Sequence, residues 1–170
     1  MSIVGARWKA GELFIPEVIA SAHTMSEGMG ILKPLIIGVE SSSFNLGKAV
    51  MGTVQGDVHN IGKNIVAMLM ESNGFEIIDL GVDVPASKFV ETAIQEKPKI
   101  LGLSALLTTT MHCMKEVINA LKEAGVRDKV RVMVGGAPVT QDFADTIGAD
   151  GYAQDGPSAV DKAKELLGTS

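Results

Sequence analysis

Apolar positions along this chain follow two different rules. From Val4 to about Glu40 they recur at helical spacing, with Val18, Ile19, Ala22 and Met25 on one pattern and Pro16 tolerable in a first helical turn. Gly28 and Gly30 are expected to break that helix. A second short helix is expected to carry Ile31, Leu32, Leu35, Ile36 and Val39, with Pro34 in its first turn. Ser41 to Gly47 is small and polar and reads as a linker. The expected division is therefore a helical cap and linker over 1–47 and a second domain over 48–170.

From Lys48 onward short apolar runs alternate with longer amphipathic ones. Strands are expected at Ala49–Val54, Glu76–Leu80, Ile100–Leu103, Val130–Val134 and Gly151–Ala153. Helices are expected at Ile61–Asn73, Ala86–Glu96, Thr109–Ala124, Thr140–Ile147 and Ser158–Leu167. Several of these close on stop signals, such as Asn73-Gly74, Ala124-Gly125 and Ile147-Gly148. Alternating strand and helix implies an α/β fold with a parallel sheet covered on both faces. Five strands suit the flavodoxin-like, or Rossmann-like, order 2-1-3-4-5. Ligands of such sheets bind beyond the carboxyl ends of the strands where the winding reverses, here between the first and third strands.

Composition narrows the choices of chemistry. Hydrophobic residues make up 46% of the 170 positions but aromatics only 4%, so the core must be aliphatic. A net charge of -5 without a Lys/Arg cluster argues against a nucleic-acid partner. One cysteine, Cys113, excludes an intrachain disulfide and a cysteine-rich metal site. Neither a signal peptide nor a membrane-spanning stretch is evident, so the expected compartment is the cytoplasm. Met51 to Gly56 lacks a phosphate-loop lysine and serine, which argues against a nucleoside triphosphate site.

Two loops should meet at the switch point. Gly56-Asp57-Val58-His59-Asn60-Ile61-Gly62-Lys63-Asn64 follows the first strand, and Ser104-Ala105-Leu106-Leu107-Thr108-Thr109-Thr110 follows the third. Asp57 and His59 stand two apart, so in an extended loop they point the same way. A histidine that ligates a metal through one ring nitrogen usually gives the other to a carboxylate, which sets its tautomer. An Asp before a helix is also a common cap, and a lone loop histidine is commonly just solvated. His112 and Cys113 are helical neighbours expected to diverge, so a shared metal is not expected there. Cys113 reads as a small core residue, His23 as exposed, and the nine methionines as packing. Lys63 reads equally as a contact near the slot or as a solvated helix end.

Asp57, His59 and Gly62, then Ser104 and Leu106, then Gly135 and Gly136 each fall at a strand end. Together they resemble the Asp-x-His-x-x-Gly, Ser-x-Leu and Gly-Gly pattern of corrinoid proteins in cobalamin-dependent methyltransferase systems. The pattern is also similar to the cobalamin-binding region of methionine synthase. The likeness spans about Val4 to Leu167. It implies cobalamin bound base-off, with His59 as the lower cobalt ligand and Asp57 on the other ring nitrogen. By the same resemblance Thr110 bonds Asp57, Ser104 and Leu106 line the slot for the displaced nucleotide tail, and Gly135-Gly136 leaves room for its end. Tyr152 and Asp155, at the last strand end, are further tail contacts. Val58, Asn60, Ile61 and Thr108 complete the expected binding set. Many carriers have Asp where Asn60 stands, so one negative charge near the His–Asp pair is missing here.

Val4 to Pro16 resembles the later half of the family's four-helix cap over the upper corrin face. Trp8 and Ile15 match bulky residues that shield the upper ligand, and ordinary packing of a helix pair explains them equally well. Two helices cannot bury both of their faces, so a second copy is expected to complete the cap as a homodimer. The resemblance implies a methyl carrier served by a substrate-specific methyltransferase and a methyl-acceptor methyltransferase, with methanol, methylamines and methoxyaromatics all open as methyl sources. The alternatives are the small subunit of an adenosylcobalamin mutase, which usually lacks a cap, and a cobalamin storage or sensing module. A receiver-like domain without cofactor would need clustered acids at the first strand end, which this sequence lacks.

Overall fold

The computed structural model describes residues 2–32 and 46–169. Two helices come first, α1 (Ser2–Lys9) and α2 (Ile15–Leu32). The remainder alternates: β1 (Gly47–Thr53), α3 (Ile61–Glu71), β2 (Phe75–Asp79), α4 (Ala86–Glu96), β3 (Ile100–Ser104), α5 (His112–Glu123), β4 (Arg131–Gly135), α6 (Gln141–Ile147), β5 (Gly151–Ala153) and α7 (Gly156–Leu167). A short 3-10 helix at Arg127–Lys129 leads into β4.

All pairings are parallel and the strand order is β2-β1-β3-β4-β5, as the alternation predicts. Period-2 alternation splits the core between the two faces of the sheet. Val50, Val54, Leu101, Leu103, Val132 and Val134 pack with Phe89 of α4 and Val117, Ile118 and Leu121 of α5. Ala49, Met51, Ile100 and Met133 pack on the other face with Leu69 and Met70 of α3 and Ala163 of α7. The cap docks on this second face through Val18 and Ala22, both buried. Register pairs Thr53 with Ser104, Ser104 with Gly135 and Gly135 with Ala153. Four strand ends therefore finish side by side, and their loops open on one rim.

The helix ends follow local chemistry. Asp155 caps α7 by accepting from the Ser158 N–H at 2.8 Å, with Pro157 in the first turn. Thr140 caps α6, and Gly148 and Gly168 close α6 and α7 in the left-handed conformation.

Three expectations change. Helix α2 runs through Gly28 and Gly30 to Leu32, because glycine weakens a helix without removing its hydrogen bonds. Helix α5 begins at His112 instead of Thr109, because the preceding residues are spent on a turn that holds Asp57. Gly47 belongs to β1 and not to a linker, and the Leu46 N–H bonds the Gly74 carbonyl beside it. The second cap helix beyond Leu32 and the linker up to Asn45 lie outside the described residues.

Candidate functional site

The loop after β1 is held from two sides. Asp57 is fully buried, and its carboxylate meets a donor on every side. Its Oδ1 accepts from His59 Nδ1 at 2.7 Å and from the His59 N–H at 3.1 Å. Its Oδ2 accepts from the Leu106 N–H at 2.7 Å, the Leu107 N–H at 3.1 Å and the Thr110 hydroxyl at 2.9 Å. Burial alone raises the Asp57 pKa, but the hydrogen bonds from His59, Leu106 and Leu107 outweigh it and hold the carboxyl well below the usual range. Asp57 is therefore an anion and accepts only, so Nδ1 of His59 carries the proton. Nε2 has no protein partner among the described residues, and in the neutral ring it is the nitrogen that bears the lone pair. The ring is 47% exposed. The buried Thr53 hydroxyl donates to the His59 carbonyl at 2.9 Å and fixes the far end of the loop.

His59 stands at the edge of a cavity of about 630 Å³. Val58, Asn60, Ile61 and Gly62 line its mouth beside His59, and Val58 and Ile61 are among the most exposed large apolar residues. Ser104 and Leu106 line the β3 side, and Gly135, Gly136 and Asp155 line the far side. Trp8 and Ile15 reach the cavity from the cap, and Trp8 also packs into the second core cluster. The expected residues thus converge, with two set apart. Thr110 bonds Asp57 from behind, as expected, whereas exposed Thr108 is outside the lining and Tyr152 packs against the other core cluster.

The glycine pair acts through the backbone. Gly136 has φ +129, and a Cβ there would collide with the Ala105 carbonyl. A Cβ on Gly135 would stand 3.0 Å from the Ala153 carbonyl. The pair lets the β4 loop close against its neighbours, and both glycines also line the cavity.

Sequence reasoning missed the cavity floor: Met51, Gly102 and Met133, with Gln154 at the rim. Gly102 was the available signal, since a glycine inside a strand marks a close approach. Lys63 lines the cavity too, but its ammonium is buried and spans Asp79 at 2.6 Å, which is neither a free contact nor a solvated end. His112 and Cys113 do not diverge. Nε2 of His112 is 3.6 Å from Cys113 Sγ and 3.9 Å from Glu116, with His112 and Glu116 facing solvent. His23 is exposed, as expected.

A half-exposed imidazole with a free nitrogen, a buried anion behind it and an apolar slot beside it fit a planar metal macrocycle with an organic tail. The described residues contain no helix long and apolar enough to cross a membrane.

Comparison with known proteins gives the same picture. The profile of the B12 binding domain matches residues 47–163, and a second B12 binding domain profile matches residues 1–33. Dimethylamine corrinoid protein 3 of Methanosarcina mazei is 51% identical over 167 residues, covering 98% of this chain and 99% of that protein. Trimethylamine corrinoid protein 1 of Methanosarcina acetivorans is 48% identical, over 98% of this chain and 77% of its own length. A cobalamin-binding protein from Desulfitobacterium hafniense superposes with a TM-score of 0.83 at 36% identity, covering 96% of this chain and 76% of the other. The methanol:cobalamin methyltransferase complex MtaBC from Methanosarcina barkeri contains a chain that superposes at 0.82 and 36% identity, covering 97% and 62%. A receiver domain of a Mycobacterium tuberculosis response regulator matches at 0.55 with 15% identity, a likeness of fold alone.

Proposed function

Since the chain belongs to the B12-binding corrinoid proteins of methyltransferase systems, we propose that it holds cobalamin through His59 and carries methyl groups of the methylamine class between partner methyltransferases. The observation that carries this reading is the His59–Asp57 pair, 2.7 Å apart, at the mouth of an apolar cavity. When bound, the corrinoid supplies a cobalt centre that accepts and gives up a methyl group.

The chain's own residues hold and tune that centre. Nε2 of His59 is the nitrogen that would hold the cobalt. The anionic Asp57 strengthens it as a donor by bonding Nδ1–H. Leu106, Leu107 and Thr110 keep Asp57 ionised and stationary. Ser104, Leu106, Gly135 and Gly136 line the slot assigned to the nucleotide tail, and Gly102 with Met51 and Met133 forms its floor. Trp8 and Ile15 exclude water from the cap side of the cavity. Reacting substrates are left to the partner methyltransferases. We read the chain as working in the cytoplasm.

Among the described residues the cap exposes apolar side chains, with Ile3, Phe14 and Ile31 at least 71% exposed. A second copy covering them would complete the cap. Light scattering should report a dimer, and a monomer at every practical concentration, with and without cobalamin, overturns that part.

The central test is the visible spectrum after reconstitution with hydroxocobalamin, wild type beside His59→Ala. The expected wild-type spectrum is base-off with histidine bound, lost in the variant. Identical spectra would remove His59 as the ligand, and failure of the wild type to bind would remove the function.

A further inference from the structure

The sheet order sets β1 between β2 and β3, so the loop carrying His59 has a neighbouring loop on each side. The β3 side holds the Asp57 side chain, as described above. The β2 side holds the main chain, and one residue does it. The Asp83 carboxylate accepts from the Gly56 N–H at 2.7 Å. The Asp83 N–H donates to the Asp57 carbonyl at 2.9 Å. Behind it, the loop zips onto the end of β1: Val84 bridges Val54, and the Val84 N–H bonds the Thr53 carbonyl at 3.0 Å.

Two features set Asp83 apart from an ordinary loop acid. It is exposed, yet both of its polar arms point back at consecutive residues immediately before the ligand loop turns outward. It also sits at φ +53, in the left-handed region where a non-glycine residue other than Asn or Asp is strained. Gly56, its partner, has φ +82. A glycine there bends freely in isolation, so something outside the loop must choose its conformation. The Asp57 N–H bonds the Val54 carbonyl at 3.1 Å within the loop, whereas the Gly56 N–H and the Asp57 carbonyl are tied from outside it. Asp83 ties both.

We propose that Asp83 is a positioning residue for the cobalt ligand: it locks Gly56 and the Asp57 main chain so that His59 is presented in one orientation. This rests on the reading of His59 as the ligand. Asp83 lies outside the cavity lining and acts through the loop.

Three variants test it in the full chain. Asp83→Gly removes the carboxylate while relieving the backbone, Asp83→Ala removes it and adds strain, and Asp83→Asn keeps an acceptor and tolerates the left-handed region. Two readouts are needed. Amide hydrogen exchange at Gly56 in the cofactor-free protein reads the clamp alone. Electron paramagnetic resonance of the protein reconstituted with cob(II)alamin, with 15N-labelled histidine, reads the fraction of cobalt ligated by His59. Asp83→Gly should lose protection at Gly56, lower the ligated fraction and raise the hydroxocobalamin dissociation constant about tenfold, about 1.4 kcal/mol. Asp83→Asn should restore most of each. Unchanged Gly56 exchange in Asp83→Gly overturns the clamp whatever cobalamin does. Lost protection with unchanged ligation and affinity overturns its link to His59. A wild type whose cobalt shows no histidine nitrogen overturns the ligand reading instead, a failure separate from the exchange result.

Discussion

The two regions of this molecule use their apolar residues in opposite ways. In the α/β domain the large side chains are sealed: Phe75, Phe89, Leu101, Ile118 and Leu121 sit between sheet and helices. In the cap, Val18 and Ala22 are the apolar side chains buried among those described in α1 and α2, while Ile3, Phe14, Ile19, Met25 and Ile31 face solvent. The apolar surface of the sheet region is thus committed to stability, while much of that described in α1 and α2 stays exposed. The polar residues divide the same way. Asp57, Thr53 and Thr110 are buried with every hydrogen-bonding atom answered, whereas the cap's pairs, such as Arg7–Glu12, lie on the surface. The loop that carries His59 is over-determined by buried hydrogen bonds, and the surface of the first two helices is not.

The contrast is sharpest when one substitution is made in both regions. Phe89→Ala removes a ring packed at 0% exposure and should cost about 3–5 kcal/mol in urea unfolding. A cost below about 1 kcal/mol would mean the domain core is not sealed as described. Thr110→Val comes next. It withdraws a hydroxyl from a buried carboxylate and should cost about 1–3 kcal/mol, measured in the same way. A neutral result would show that the Leu106 and Leu107 amides suffice.

Acid titration probes the same carboxylate. Asp57 has its pKa depressed on folding, so its contribution is fully present above the ordinary carboxylate range and is lost as pH falls through the depressed value. The melting temperature of the wild type should therefore fall on acidification below about pH 5, and Asp57→Asn should flatten that fall while lowering the plateau at neutral pH. Parallel curves would show that other carboxylates carry the acid sensitivity. The smallest effect is expected in the cap: Phe14→Ala should change unfolding free energy by no more than about 0.5 kcal/mol at dilution, yet weaken self-association in light scattering. A large loss of monomer stability would show that Phe14 is packed within its own chain.

Much of this was open to reading from residues in order. Alternating periodicities are local properties, so the five strands and most helix ends follow from the sequence. The spacing of Asp57 and His59 on one loop was equally legible, and the resemblance to corrinoid proteins pointed to Thr110 and the Gly135-Gly136 pair. Tertiary structure decided the rest, because it depends on which strands lie side by side and in what register. Residues 57, 83 and 106 meet only because β1 lies between β2 and β3, and no local pattern relates them. The same register gave Gly136 its role against the Ala105 carbonyl, turned Tyr152 away from the cavity, sank the Lys63 ammonium onto Asp79 and brought Met51 and Met133 beneath the slot. Periodicity acts over a few residues of chain, whereas these contacts are settled by cross-strand neighbours far apart in sequence.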